Sequence, residues 1–463
     1  MESEVTTSGR MATESGLEVH SHDYIPLEER HGKVRDLFSL WFGENMTIFA
    51  LVTGALAITL GLNFWWAIIA IVVGTLAGGL IMAFHSTQGP VLGLPQMIQS
   101  RAQFGYLGAL LPTFLAWCSY IAFLAVALII CAQSFDSVFG FGVNFWMIVT
   151  AVAIWVLAIV GYDLIHLTLK YLGWAFGAFF VFLAVLLVWN GGLSFDKLNV
   201  GTFTIGTFMA ATAVMATWTA GYAPYVSDYS RYLPPNEVRG TFFNTYVGNS
   251  ISTILLMILG ALIVTSDPSL GVVDHIKALG GDTLGPIMVL AMAIGLIIAN
   301  STNTYGGGIT GISMLDNIRP IKSTVRLRVI ATTVVSILAV LLAVVGSTNL
   351  GTFITNFFFF LLYGLIPWSM INLVDFFLIR HGHYKTEDFF NPKGSFGTFG
   401  WLALIVYAIA ILAELPFVNT ALYVGPAVDW LGGADIAWIV GAVVSGVLYY
   451  AAARWSGQRA NAA

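Results

Sequence analysis

The chain has 463 residues, of which 58% are hydrophobic and only 9% charged, against about 25% charged in an ordinary soluble protein. So few charges cannot cover a water-facing surface, and apolar runs of the ~20 residues that cross a hydrocarbon core recur from Phe38 almost to the C-terminus. The bilayer is therefore the solvent, and a net charge of −5 gives no sign of a nucleic-acid partner, which would ask for a basic face or stripe.

In chain order, the first 37 residues are polar, with Glu28, Glu29, Arg30, Lys33 and Arg35 near their end. They lack the apolar core of a cleaved signal peptide and read as a mostly disordered cytoplasmic tail. Hydrophobic runs bounded by Gly, Pro and charged residues then place twelve α-helical spans near 38–60, 65–84, 107–133, 143–161, 167–190, 203–226, 241–265, 284–313, 326–346, 351–379, 398–415 and 435–453, with a short tail over 454–463. Charge sidedness checks this count independently, because cytoplasmic loops collect Lys and Arg. With the N-terminus inside, only Lys197 and Lys277 of the nineteen basic residues fall outside. A span miscounted in the middle would swap every later loop, so both termini are expected to be cytoplasmic, with the chain in the plasma (cell inner) membrane. The two cysteines, Cys118 and Cys131, share span 3 at a separation of roughly 20 Å along the helix, which excludes a disulfide between them.

Polar groups inside spans cost several kcal/mol unless something satisfies them, so they are where function is sought first. In span 1, Gly43-Glu44-Asn45 sets a carboxylate and an amide at what resembles a helix break, where backbone carbonyls ligate cations; hydration of Glu44 near the interface, or pairing with Arg35 or Lys33, is the plain alternative. In span 3, Trp117, Tyr120 and Phe123 form one aromatic stripe. Span 6 holds Gly221 and Pro224 within an apolar run, and Trp218 and Tyr222 share a face, as a stacking surface for a flat ligand requires; ordinary packing accounts for them equally well. Span 8 ends in Asn300-Ser301-Thr302-Asn303-Thr304-Tyr305 followed by three glycines. Its hydroxyls suit a small cation, and its amides can donate to and accept from a heterocycle edge. Asp163, Asp228 and Asp375 stand near span ends, where Arg231 and Arg380 are the expected partners, and the histidines lie mostly in tails and loops. No catalytic or phosphate-loop pattern appears. An enzyme is not expected, nor any cofactor, metal beyond a coupling ion, or obligate protein partner.

The stretch Gln88-Gly89-Pro90 through Gly93-Leu94-Pro95-Gln96 to Ser100-Arg101-Ala102-Gln103-Phe104-Gly105-Tyr106, with Ser227-Asp228-Tyr229-Ser230-Arg231-Tyr232-Leu233-Pro234, resembles the purine-cytosine permease family, also called nucleobase:cation symporter family 1. The resemblance implies a leucine-transporter-like fold: spans 1–5 (38–190) and 6–10 (203–379) as inverted repeats, with spans 11 and 12 (398–453) added. It implies a symporter that imports a nucleobase, cytosine or a purine, with a sodium ion or a proton by alternating access. Phe123 falls where the family usually has a stacking Trp, with Tyr120 one turn before it. Tyr222 falls at the span 6 aromatic, with Trp218 as its rival. Ser301 and Thr302 resemble hydroxyls that face sodium, and Asn303 an amide that touches substrate, a role open also to Asn300 and Asn45. Glu44 stands in place of a small residue, which leaves sodium and proton coupling both open. The same features suit another small N-heterocycle, such as allantoin, a hydantoin or a pyridoxine-like vitamin.

Overall fold

A computed structural model describes residues 24–160, 162–190, 193–319, 321 and 324–457, with backbone alone at 160 and 162–172. Its helices follow the expected spans in order. Span 1 is Val34–Glu44 and Ile48–Thr59, span 2 Phe64–Ser86, span 3 Leu110–Phe139, span 4 Val143–Val160, span 5 Tyr162–Trp189 and span 6 Ile205–Ala220. Span 7 is Val238–Ser266, span 8 Val272–Ile318, span 9 Val325–Gly346, span 10 Leu350–Val374, span 11 Trp401–Glu414 and span 12 Ala437–Trp455.

Seven helices of the described residues are long and apolar enough to cross a membrane, span 1 makes an eighth once its bent halves are joined, and spans 4, 5 and 11 are shorter apolar helices. Large apolar side chains are exposed at helical spacing on the outer faces: Val152 and Val156 on span 4, Val181, Val185 and Val188 on span 5, and Val334, Ile337 and Leu341 on span 9. In water such faces would drive aggregation; in lipid they are the solvated surface.

Small residues decide which helices meet. A Cβ at Gly54 would overlap the Met257 backbone, and one at Gly260 the Leu51 carbonyl, so span 1 lies directly on span 7. Gly74 and Gly78 bring span 2 onto the Thr212 and Ala216 backbone of span 6 in the same way. The two contacts correspond if the first five spans and the next five are repeats: first helix on second, crosswise. Span 3 packs along span 8, where the Tyr120 ring rests on Gly306 and its Cβ on Gly307, and Trp117 on Gly311. Spans 11 and 12 pack together, and span 12 meets span 10 where Gly446 faces Met370.

The first helix of each group of five is interrupted. Span 1 bends by 62° across Asn45–Thr47, where Thr47 is extended at φ −133°, ψ 154°. Span 6 stops at Ala220, passes Gly221 and Tyr222, makes a 3-10 turn over Ala223–Tyr225 and resumes as Val226–Ser230. Pro224, which has no N–H to donate, falls in that gap.

Several boundaries differ from the sequence expectation. Span 1 begins at Val34, inside the expected tail, because Leu37 and Trp41 bury one face of the added turns. Ile25 is fully buried, its N–H bonded to the Gly93 carbonyl (2.9 Å), while Arg30 donates to Ile25 and Pro90 carbonyls; the first 23 residues lie outside the described set. Span 8 reaches back to Val272 through a kink at Gly281, whose φ of 62° a side chain would resist. Of the aspartates, Asp375 pairs with Arg380 at 3.2 Å as expected, Asp228 accepts from the Gln96 backbone (2.8 Å), and the side chain of Asp163 lies outside the described residues.

Candidate functional site

The two interruptions meet span 8 and span 3 around one cavity, lined by Glu44, Thr47 and Phe49 of span 1, Phe123 of span 3, Trp218, Tyr222 and Tyr225 of span 6, and Leu296, Ala299, Asn300 and Asn303 of span 8. Four helices distant in sequence thus converge on rings, amides and one carboxyl. The cavity measures about 30 Å³, whereas a protein cavity that holds benzene measures about 150 Å³. The site is drawn in around its own side chains, and a flat ligand has to part them.

The rings pack edge to face. Phe49 meets Trp218 at 4.8 Å between centroids and 86°, and Phe123 meets Trp218 at 6.4 Å and 84°. Trp218 and Tyr222 stand at 6.4 Å and 86°. Phe123 fits because Gly221 has no side chain: a Cβ there would lie 3.2 Å from the ring. Both rivals for the span 6 aromatic therefore line the cavity. Their polar atoms are held by a common partner: the indole N–H of Trp218 donates to Asn45 Oδ1 at 2.6 Å, and the Tyr222 hydroxyl reaches the same oxygen at 3.5 Å.

Asn45 itself lies behind the rings. It is fully buried, and its Nδ2 donates to Trp41 O (2.8 Å), Asn249 Oδ1 (3.1 Å) and Ser252 Oγ (3.1 Å). An amide saturated by protein on both sides orients Trp218 and pins the break of span 1 to span 7. Among the described residues its oxygen and its nitrogen are both bonded to protein groups, which places it behind the cavity lining.

The span 8 amides divide the work. Asn300 Nδ2 donates to Leu296 O (3.0 Å), and Asn300 Oδ1 accepts from Asn303 Nδ2 (3.0 Å). This pair orients Asn303, whose own carbonyl oxygen has no protein donor among the described residues. Ser301 and Thr302 donate to Ile298 O (2.6 Å) and Ala299 O (2.5 Å), three residues back in each case, so their oxygens keep lone pairs for a cation. They do not line the cavity. Tyr120 lies outside it too, stacked on Tyr225 at 5.2 Å and 25°, and lines a separate void of about 40 Å³ with Pro95, Ile98, Pro224, Asp228 and Thr310. The packing on Gly306 and Gly307 directs Tyr120 there, so of the span 3 stripe Phe123 alone enters the site.

The molecule is open on one side of this cavity and closed on the other. A cleft of about 1070 Å³ is lined by Val52 and Leu56 of span 1, Ala210 of span 6, Asn349 before span 10, Asn356 and Phe359 of span 10, and Asn419. Phe358, fully buried, meets the cavity rings Phe49, Phe123 and Trp218 at 6.5, 5.7 and 6.4 Å. On the other side a chain of buried amides crosses the protein. Gln96 Nε2 reaches His85 Nδ1 (3.0 Å) and Gln88 Oε1 (3.1 Å), Gln88 donates to Asn372 Oδ1 (2.6 Å), Asn372 to Gln103 Oε1 (3.2 Å), and Gln103 to Asp375 Oδ2 (2.8 Å). Ser227 of the span 6 signature donates to Gln96 Oε1 at 2.6 Å, and His85 stacks on Trp368 at 4.8 Å and 4°.

The signature residues of the sequence thus form a closure, away from the ring-lined site. Sequence reasoning missed His85, Asn372 and Trp368, which show no unusual pattern inside their helices, and missed the lining residues Thr47, Phe49 and Tyr225. The last carried a signal, since it stands three residues after Tyr222 on an interrupted helix.

A family model described as "Permease for cytosine/purines, uracil, thiamine, allantoin" matches residues 24–441. The chain belongs to this permease family. It is 41% identical over 441 residues to the "Putative purine-cytosine permease YxlA" of Bacillus subtilis (strain 168), covering 94% of this chain and 95% of that one. It is 24% identical to the purine-cytosine permease fcyB of Emericella nidulans, over 93% and 87% of the two chains. Among solved structures, the inward-facing conformation of Mhp1 superposes with a TM-score of 0.76 at 18% identity, over 94% and 93% of the chains. A closed conformation of Mhp1, a nucleobase-cation-symport-1 family transporter with bromovinylhydantoin bound, gives 0.74 at 18%, over 95% and 96%. That likeness shows the fold, the leucine-transporter-like one with its two five-span repeats and two added helices. The permease is a multi-pass membrane transport protein and not an enzyme.

Proposed function

We propose that the permease is a secondary active symporter that imports a nucleobase, cytosine or a purine, together with a proton or a sodium ion by alternating access. The observation that carries this reading is the cavity itself: Phe123, Trp218 and Tyr222 supply faces for a flat ring, and Asn303, oriented by Asn300, supplies an edge contact beside Glu44. The substrate stacks between Phe123 and one of the span 6 rings, opening the drawn-in cavity as it enters. The cation binds between the interruption of span 1, with Glu44, and the hydroxyls of Ser301 and Thr302. Repeats over 38–190 and 203–379 move against each other, with both termini cytoplasmic in the plasma membrane. In that orientation the large cleft faces outward and the amide chain from Gln96 to Asp375 keeps the cytoplasmic side shut. The resemblance to purine-cytosine permeases over nearly the whole chain supports the substrate class.

A second reading rests on a specific feature. The family description includes allantoin and thiamine, an allantoin permease of Bacillus subtilis is 23% identical, and the Phe at 123 is a smaller ring than the Trp expected there. Uptake of radiolabelled cytosine, adenine and hypoxanthine by expressing cells, with sodium and pH varied separately, separates the two. Saturable, ion-dependent uptake lost in Asn303→Ala supports the nucleobase reading. Absence of base uptake together with transport of allantoin or a hydantoin defeats it.

A further inference from the structure

The second void, of about 40 Å³, has no lining residue in common with the ring-lined cavity. Its wall brings Ile98 of the signature segment, Asp228 beyond the interruption of span 6, and Thr310 and Ser313 of span 8 around Tyr120. Asp228 also accepts from the Gln96 N–H at 2.8 Å, so the void lies against the amide closure and away from the cleft. The partition between cavity and void is one ring pair. Tyr225 lines the first, Tyr120 lines the second, and the two rings stack at 5.2 Å and 25°. The pair ends a run of rings along the interruption of span 6, from Trp218 to Tyr222 at 6.4 Å and from Tyr222 to Tyr225 at 5.8 Å.

Both rings are seated where they can be displaced. Tyr225 closes the 3-10 turn with φ −139° and ψ 6°, between two helical segments, and the Tyr120 ring rests on Gly306, which has no side chain to hold it. A flat ligand between two faces needs them about 7 Å apart, two contact layers of about 3.5 Å each, so the pair has to part by about 2 Å. The surrounding edge is polar. Thr113 and Thr310 each donate their hydroxyl proton to a carbonyl one turn back at 2.8 Å, which leaves their oxygens as acceptors; Ser313 adds a hydroxyl and Asp228 a carboxylate. Two aromatic faces with an edge rich in acceptors suit a planar N-heterocycle that carries an exocyclic amine.

We propose that the Tyr120–Tyr225 pair and the void behind it form a second substrate station on the release side: the heterocycle leaves the ring-lined cavity by inserting between the two phenol rings, with its amine toward Asp228 and the hydroxyls of Thr310 and Ser313. The inference rests on the nucleobase reading above and on its orientation, and goes beyond them by giving the substrate a binding place between the cavity and the closure. No covalent bond is made or broken.

Met97 also lines the void and is partly exposed, so a cysteine there reports on its occupancy. The experiment is labelling of Met97→Cys, in a Cys118→Ser, Cys131→Ser background, by a membrane-impermeant maleimide added to the cytoplasmic face of inside-out vesicles while cytosine is titrated. Cytosine is expected to slow labelling saturably. The half-protecting concentration should stay the same in Asn303→Ala, which weakens the ring-lined cavity, and should rise about 5–100-fold in Tyr120→Leu, which fills space without a flat face. Tyr120→Phe keeps the face and should stay within about threefold of the parent. Thr310→Val leaves the ring stack in place and should raise the concentration about 2–10-fold, a test that stands if Tyr120→Leu does not fold. Three results overturn this inference alone: cytosine that binds the purified permease yet never protects Met97→Cys, protection that shifts with Asn303→Ala in step with equilibrium binding, and protection that neither Tyr120→Leu nor Thr310→Val alters. Purified permease that binds none of cytosine, adenine and hypoxanthine overturns the nucleobase reading as well.

Discussion

Replacing Asn45 by Ala separates an orienting role from a substrate-reading one. The change leaves the Trp218 indole N–H and Asn249 Oδ1 buried without a partner, whereas Ser252 keeps its bonds to Gly248 and Asn249 carbonyls. At about 1–2 kcal/mol for each orphaned group in a membrane interior, the loss is about 2–4 kcal/mol, a large part of a typical net stability of about 5–15 kcal/mol. The thermal midpoint in detergent, followed by tryptophan fluorescence, is expected to fall by several degrees, and cytosine affinity to fall on the order of tenfold as Trp218 loses its anchor. The ranking of cytosine, adenine and hypoxanthine should stay the same. Asn45→Asp keeps an acceptor for Trp218 but loses the donors to Trp41 and Asn249, and should lie between. An unchanged midpoint together with a reordered base preference would refute the reasoning, since it would mean that the amide touches substrate.

Three further outcomes are expected. Asn303→Ala removes the one amide oxygen of the cavity without a protein donor among the described residues, and should weaken substrate binding by about 5–100-fold with no change in thermal midpoint; equilibrium binding and a melt on the same sample check it. Gln96→Ala removes the branch point of the buried amide chain; a loss of about 1–2 kcal/mol from the closed state should raise thiol labelling of a cysteine placed at Ile98, in a Cys118→Ser, Cys131→Ser background, about 5–30-fold from the cytoplasmic side. Gly78→Ala drives a Cβ into the Ala216 carbonyl, and should abolish monodisperse expression, because backbone on both helices would have to move; a well-behaved, active variant would contradict the packing described for spans 2 and 6.

Much was legible from residue order alone. Membrane residence, the order of the helices and the weak points of spans 1 and 6 follow from hydropathy and from Gly and Pro inside apolar runs, because lipid obliges each spanning segment to satisfy its own backbone. The candidate residues Glu44, Phe123, Trp218, Tyr222, Asn300 and Asn303 were also visible as polar or aromatic groups where burial is costly. Which of them share a cavity was not. Asn45 and Asn303 look alike in sequence; only the fold surrounds the first with Trp41, Trp218, Asn249 and Ser252 and sets the second in the cavity lining, its oxygen without a donor among the described residues. Tyr120 and Phe123 stand three residues apart on one helix, yet Tyr120 turns onto Gly306 and Tyr225 while Phe123 reaches the site through the space left by Gly221. His85 and Asn372 join a hydrogen-bonded closure from helices almost three hundred residues apart. Hydropathy and chain breaks are local properties and can be read along the chain, whereas the satisfaction of a buried polar group depends on what another helix brings to it, and that is settled only when the helices pack.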